Sequence, residues 1–269
     1  MEKKNAIVGN LELFYFDNEA SGRPLFFIHG NSLNSGLFYR QFEDAALGNY
    51  RIIAPDLPGH GRSSRSTNPE KGYSVKNYIQ LLAEFTNKLQ LEDIILFGHS
   101  LGGHIAINLS NELAGKISGL AIMGTPPLTV PPKMEEAFLP NPALAYAFKP
   151  DLSDEELKQL SSAFINEEQN NFELLKSAII TADPLVRPFI GKSISTEVTD
   201  EVSILQNSDF PLAVFHGRKD KLVNADYISN LGLDLHSKEV YYIENAGHAA
   251  FLENHQEFNR ALSEFVSTV

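Results

Sequence analysis

The 269-residue chain has no cysteine and no tryptophan, and only three methionines. Without a thiol it can form no disulfide and no thiolate metal site, and any nucleophile must be another kind of side chain. Positive charge is also scarce: the chain has 22 lysines and arginines but 34 aspartates and glutamates, which gives a net charge of -12. That charge opposes attraction to phosphate groups, so we expect no nucleic-acid partner.

Long apolar segments are missing as well. No run approaches the roughly 20 apolar residues that span a bilayer. Near the start, the stretch Ala6 to Leu11 is short and is interrupted by Gly9 and Asn10, unlike the core of a signal peptide. We therefore predict a cytoplasmic protein with no membrane partner.

Cofactor and metal motifs are absent from the sequence too. It contains no G-x-G-x-x-G, no phosphate-binding loop, and no histidine or carboxylate cluster with the spacing of metal ligands. We expect neither a cofactor nor a metal.

Seven short, mainly apolar segments end in polar or turn-forming residues, and helical patterns separate several of them. We expect the first to be an edge strand and the others to be buried on both faces. This alternation predicts an α/β fold with a mostly parallel sheet flanked by helices, and functional groups on loops beyond the carboxyl ends of strands. The predicted strands are Leu11–Phe16, Leu25–Ile28, Arg51–Ala54, Ile94–Phe97, Leu120–Met123, Leu212–Phe215 and Val240–Ile243.

One long stretch between the fifth and sixth of these strands has several prolines and helical patterns but no convincing strand. Ser153 to Glu156 has the pattern of a capping box, followed by apolar residues at helical spacing. We predict that residues 128–209 form a helical cap, or lid, and that residues 1–127 and 210–269 form the α/β core.

Gly98-His99-Ser100-Leu101-Gly102 matches the pattern G-x-S-x-G. The pattern alone arises often by chance, but here it lies directly between a predicted strand and a helical stretch. In that context the sharp turn exposes the serine hydroxyl. We predict Ser100 as the nucleophile.

A serine hydroxyl needs a base, and the base needs a carboxylate to orient it. His248 follows the last predicted strand, and Asp220 follows the one before it, so both lie at the same sheet edge as Ser100. We predict the triad Ser100, Asp220 and His248, with Asp226 as the alternative acid.

Two N–H groups must stabilise the oxyanion that forms during attack. We assign these donors to the backbone of Leu101 and of Asn31, which follows the strand Leu25–Ile28. The turn-rich segment Asp56 to Ser63 is predicted to be structural, and His104 to be a packed or hydrogen-bonded residue.

These motifs resemble the α/β-hydrolase family. Several runs together are similar to the N-acyl homoserine lactonases of this fold, in which the cap sets substrate choice. The chain departs from those lactonases at His99, where they have tryptophan, and at Asp220, where they have glutamate. The similar runs are His29 to Ser32, Ala54 to Gly61, Ser100 to Ile105, Gly124 to Pro127 and Asn245 to Ala249.

The resemblance implies a serine hydrolase that cleaves a carboxylic ester or lactone through an acyl-enzyme. The preferred prediction is hydrolysis of N-acyl homoserine lactones (quorum quenching). The alternatives are a general carboxylesterase, a cofactor-free haloperoxidase or perhydrolase, and a non-catalytic ligand receptor. Dehalogenases and epoxide hydrolases are disfavoured, because they need an aspartate at the position of Ser100.

The expected partner is a small ester or lactone with an apolar acyl chain, bound by a monomer or homodimer. Aromatic residues of the insertion are candidates to line the acyl pocket. They are Phe138, Tyr146, Phe148, Phe164 and Phe172.

Overall fold

A computed structural model describes residues 1–166 and 171–269. Its centre is an eight-stranded sheet with the strand order β1-β2-β4-β3-β5-β6-β7-β8. The strands are β1 (Glu2–Val8), β2 (Leu11–Asp17), β3 (Pro24–Ile28), β4 (Arg51–Pro55), β5 (Ile94–His99), β6 (Ile117–Met123), β7 (Leu212–Gly217) and β8 (Tyr241–Ile243).

The sheet is parallel from β4 through β3, β5, β6 and β7 to β8, whereas β2 is antiparallel to both of its neighbours. The predicted fold class is therefore confirmed, with two corrections. The last predicted strand, Val240–Ile243, is not buried on both faces, because β8 forms the other edge of the sheet and Tyr241 and Tyr242 are only half-buried. The segment Leu11–Phe16 is not an edge strand, because β1 pairs with β2 along its whole length and takes the edge. Four polar residues at the start of β1, Glu2 to Asn5, hide its β-pattern in the sequence.

Helices connect and cover the strands. They are α1 (Tyr39–Phe42), α2 (Pro69–Gly72), α3 (Val75–Lys88), α4 (Leu101–Glu112), α5 (Met134–Ala137), α6 (Ala143–Tyr146), α7 (Asp154–Ala163), α8 (Phe172–Thr181), α9 (Val186–Thr196), α10 (Glu201–Gln206), α11 (Ala225–Ser229), α12 (Ala250–Glu253) and α13 (His255–Val266). Within the described residues, none of these helices is both long and apolar enough to cross a membrane.

The core beneath the carboxyl end of β5 is aromatic. The ring of Phe97, on β5, lies 4.9 Å from that of Phe27 and 5.4 Å from that of Phe258, centroid to centroid. The rings of Phe38 and Phe251 are likewise 4.9 Å apart. All five side chains are almost fully buried. Because aromatic rings bury large areas in fixed orientations, this cluster supports the carboxyl end of β5 rigidly.

The segment between β6 and β7 contains α5 to α10 and, among its described residues, no strand. Helix α7 begins with the predicted capping box: the Ser153 hydroxyl accepts from the Glu156 N–H, and the Glu156 carboxylate accepts from the Ser153 N–H. Residues 167–170 of the predicted cap lie outside the described residues. The exact division into core and cap stays a prediction.

Candidate active site

Ser100 lies in the sharp turn between β5 and α4. Its backbone has φ +53° and ψ −120°, an unfavourable conformation for a residue with a side chain. The Ser100 N–H donates to the Met123 carbonyl over 2.9 Å, which ties the turn to β6. A Cβ on Gly102 would overlap the Ile28 carbonyl oxygen, so only glycine lets the turn approach β3 this closely.

Asp220 and His248 are brought together as predicted, although 28 residues separate them. The His248 Nδ1–H donates to the Asp220 Oδ2 over 2.8 Å. The other carboxylate oxygen, Oδ1, accepts from the N–H groups of Leu222 at 2.7 Å and Val223 at 3.2 Å. The alternative acid, Asp226, is exposed in the first turn of α11 and does not contact His248 in the described structure.

Both partners of this pair are withdrawn from water, with side-chain exposures of 2% for His248 and 0% for Asp220. Burial alone would raise the pKa of the Asp220 carboxyl. The charge and hydrogen bond of His248, aided by the Leu222 N–H, outweigh burial and lower that pKa below its usual range. Asp220 therefore stays ionised, and its hydrogen bond with Nδ1 fixes the orientation of the His248 ring.

Two further residues position His248, and neither role was predicted from the sequence. The His99 Nε2–H donates to the His248 carbonyl over 3.0 Å, and the two rings lie 4.9 Å apart. Gly124, at φ +58°, leaves the room that the imidazole needs, because a Cβ there would lie 2.8 Å from the His248 Cε1. Burial holds the pKa of His99 well below its usual value, so this ring is neutral.

The two expected oxyanion donors, Leu101 and Asn31, line one cavity together with Ser100 and His248. Leu101 is the first residue of α4, so its N–H has no carbonyl of a preceding helical turn to bind. The Asn31 side chain donates to the Ala147 carbonyl over 2.8 Å, which fixes the loop against the insertion.

Buried histidines hold the loop of Asn31. The Ser32 N–H donates to the His60 Nε2 over 3.1 Å, and the Leu57 N–H donates to the His29 Nε2 over 2.9 Å. Asp56 accepts from the N–H and the hydroxyl of Ser35. These bonds give the segment Asp56 to Ser63 the structural role that the sequence predicts.

The cavity at Ser100 has a volume of ≈ 70 Å³ and adjoins an apolar cavity of ≈ 570 Å³. The two share His104, Phe138, Leu144, Phe148 and Ile194. Of the predicted pocket aromatics, Phe138, Phe148 and Phe164 line the smaller cavity. Tyr146 and Phe172 do not line either cavity, and instead are partly buried against the core.

The fold and the strained serine turn at the carboxyl edge of the sheet are those of an α/β hydrolase. The chain belongs to this family: the family's model, described as alpha/beta hydrolase fold, matches residues 23–255. The predicted family is thereby confirmed.

Individual relatives cover nearly the whole chain. The AB hydrolase superfamily protein YisY of Bacillus subtilis is 26% identical over 264 residues, 93% of this chain and 94% of that protein. The non-heme chloroperoxidase CPO-A1 of Kitasatospora aureofaciens is 25% identical over 272 residues, 96% of each chain. Among solved structures, the N-acyl homoserine lactonase AidH complexed with N-butanoyl homoserine superposes with a TM-score of 0.92 at 29% identity, covering 99% of this chain and 96% of that one.

Proposed function

We propose that this protein is a serine hydrolase in which Ser100, His248 and Asp220 form the catalytic triad. The observation that carries the proposal is the buried Asp220–His248 hydrogen bond of 2.8 Å, whose imidazole lines the same cavity as a serine on a strained turn. A carboxylate, an imidazole and a hydroxyl in this arrangement can perform acyl transfer.

In the proposed mechanism the Ser100 hydroxyl attacks a carbonyl carbon while the His248 Nε2 takes its proton. Asp220, held ionised, stabilises the imidazolium that results. The backbone N–H groups of Leu101 and Asn31 stabilise the negative charge on the carbonyl oxygen. His248 then returns the proton to the leaving alcohol, and water, activated by the same imidazole, releases the acyl group.

The proposed substrate is an N-acyl homoserine lactone. The likeness to the lactonase AidH over almost the whole chain supports this choice. The apolar walls of the two adjoining cavities support it as well, since an acyl chain needs such surroundings. We propose that residues 128–209 act as the cap of this site, because Phe138, Leu144 and Phe148 on that segment line the same cavity as Ser100.

The test is mass-spectrometric detection of ring opening of N-butanoyl and N-hexanoyl homoserine lactone, with p-nitrophenyl esters assayed in parallel. Wild type should open the lactones, and Ser100→Ala should lose both activities. Ester cleavage without lactone opening would leave a general carboxylesterase. Labelling by a fluorophosphonate that survives Ser100→Ala would overturn the assignment of the nucleophile.

A second candidate is a cofactor-free haloperoxidase or perhydrolase, which the likeness to the chloroperoxidase CPO-A1 over 96% of the chain favours. The activity that would identify such an enzyme is peroxide-dependent halogenation of a dye at acidic pH. Halogenation that depends on Ser100, with no lactone opening, would replace the lactonase proposal.

A further inference from the structure

A second carboxylate–histidine pair lies beside the catalytic cavity. His104 is on α4, four residues after Ser100, and Glu201 begins α10 at the far end of the insertion. The His104 Nδ1–H donates to the Glu201 Oε2 over 2.8 Å, and the two side chains are only 11% and 4% exposed. The pairing joins residues 97 positions apart, so no local pattern in the sequence could reveal it.

Further hydrogen bonds hold Glu201 in place. Its Oε1 accepts from the Asn108 side chain at 3.1 Å, and its Oε2 also accepts from the Leu128 N–H at 2.9 Å. Because Glu201 is held in place, its hydrogen bond with Nδ1 fixes the orientation of the His104 ring. Its second nitrogen, Nε2, has no hydrogen-bond partner among the residues that the structure describes.

His104 lines both the cavity at Ser100 and the adjoining cavity. The other residues that the two cavities share, Phe138, Leu144, Phe148 and Ile194, are all apolar. Because Glu201 occupies Nδ1, Nε2 is the hydrogen-bonding atom that the imidazole can offer to a bound molecule. The junction of the two cavities thus combines apolar walls with one oriented polar group, the usual design of a selective pocket.

We propose that His104 is a specificity-determining residue that binds a hydroxyl group on the acyl part of the substrate. This inference rests on the proposed function. His104 follows the Ser100 turn by about one turn of α4, roughly 6 Å of rise, and both residues line one cavity, so the hydroxyl that His104 binds should lie several bonds from the attacked carbonyl. In an N-acyl homoserine lactone, a hydroxyl on the third carbon of the acyl chain meets this condition, because the amide group separates it from the lactone carbonyl.

A hydroxyl suits the site in either protonation state of the ring, since it can donate to a bare Nε2 or accept from Nε2–H. An unsubstituted chain would cover the imidazole with CH₂ groups and leave Nε2 without a partner or water. A single hydrogen bond of this kind corresponds to about tenfold in kcat/KM. We therefore expect the enzyme to prefer substrates whose acyl chain carries a hydroxyl over substrates whose acyl chain is unsubstituted.

The experiment measures kcat/KM for N-(3-hydroxyhexanoyl) and N-hexanoyl homoserine lactone. The wild-type ratio should favour the hydroxylated substrate about tenfold. In His104→Asn the side-chain amide can still donate to Glu201, but no atom reaches the position of Nε2, so the ratio should fall to about one. A wild-type ratio near one, or an unchanged ratio in His104→Asn, would overturn the proposal.

A matched control separates specificity from the stability of the network. The Thr199 hydroxyl donates to the Asn108 Oδ1 over 2.7 Å and lines neither cavity. Thr199→Val should lower the melting temperature while the substrate ratio stays at the wild-type value. A ratio that falls equally in Thr199→Val would show that His104 acts only through the network, and would reject its contact with substrate.

Failure of the inference and failure of the proposed function give different results. Lactones opened with no preference for the hydroxyl would reject the role of His104 and keep the lactonase. If only esters are cleaved, the comparison moves to p-nitrophenyl hexanoate and 6-hydroxyhexanoate, whose hydroxyl is equally far from the carbonyl in bonds. A His104-dependent preference there would keep the inference without the lactonase, and cleavage of neither substrate pair would reject both.

Discussion

The backbone strain at Ser100 and the burial of Asp220 both cost stability, and both serve the same proposed step. A serine at φ +53° costs about 1 to 3 kcal/mol, and surrounding packing must offset that cost. Asp220 keeps its charge in a fully buried position because His248 and two backbone N–H groups bind it. Such costs are common where a residue must be held ready for chemistry.

Asp220→Asn should lower kcat by about 10⁴-fold while binding changes little, because the amide no longer favours the reactive tautomer of His248 or stabilises its charged form. Steady-state kinetics on a p-nitrophenyl ester measures the effect. The matched control is Asp226→Asn, an exposed carboxylate on α11, which should retain wild-type activity. Loss of activity in the control alone would return the role of the acid to Asp226.

Gly124→Ala tests the space that His248 needs. The new Cβ would lie 2.8 Å from the His248 Cε1, so the ring must shift and kcat should fall at least tenfold, or by about 1.4 kcal/mol in the barrier. Gly115→Ala is the control, since Gly115 also has a positive φ, +84°, but a Cβ there meets nothing within 4 Å. The control should lose about 1 kcal/mol of stability and no activity. Equal kinetic losses in both variants would mean that backbone strain, not contact with His248, is responsible.

At the scale of elements, the site depends on loops that follow strands and on the contacts between those loops. The loops after β3 and β4 are joined through His29 and His60, and the loop after β8 is held by His99. In each bond a neutral imidazole takes the place of water for one backbone group. Without such support, the loop after β3 would not hold the proposed oxyanion donor, the Asn31 N–H, in position.

His60→Leu should loosen the loop that carries Asn31. The Ser32 N–H and the Pro58 carbonyl would lose their partner in a buried region, at a cost of about 1 to 3 kcal/mol in the free energy of unfolding. We expect kcat to fall more than KM rises, because the proposed oxyanion donor would act chiefly in the transition state. Urea unfolding and steady-state kinetics test the two effects. Wild-type kcat in a destabilised variant would show that the loop holds its position without His60.

At the scale of the whole molecule, buried neutral histidines make stability depend on pH. Burial lowers the pKa of His29 and His216, and lowers the pKa of His60 and His99 well below the usual value. In the unfolded chain histidine titrates near pH 6.5, so below that pH the unfolded state binds protons that the native state does not. The stabilising contribution of these neutral histidines to the free energy of unfolding is therefore complete above about pH 6.5 and is lost as the pH falls.

We expect the free energy of unfolding to decrease from pH 7 to pH 5, with each of these histidines contributing up to about 1.4 kcal/mol per pH unit. Urea unfolding at several pH values measures this slope. His60→Leu should be less stable than wild type at pH 8 but should show a flatter dependence on pH. A wild-type stability that does not change between pH 8 and pH 5 would contradict the neutral state of these rings.

Local sequence patterns were sufficient to predict much of the secondary structure of this protein. Period and composition predict seven of the eight described strands and the capping box of α7, because these depend on which neighbours in the chain are apolar or can form a cap. The pattern around Ser100 predicts its turn for the same reason, since the glycines act within a few residues. Polar residues at the start of β1 conceal that strand, because its stability comes from pairing with β2.

Contacts between distant segments were decided only by the tertiary structure. The sequence by itself determined the α/β class, the order of the predicted Ser, Asp and His residues, and the sheet edge at which they lie. It could not show that His99 holds the loop of His248, that His104 pairs with Glu201, or that Tyr146 and Phe172 lie away from the cavity. The physical reason is that such contacts depend on how helices and loops pack across the sheet, and packing among residues far apart in the chain leaves no local period or motif.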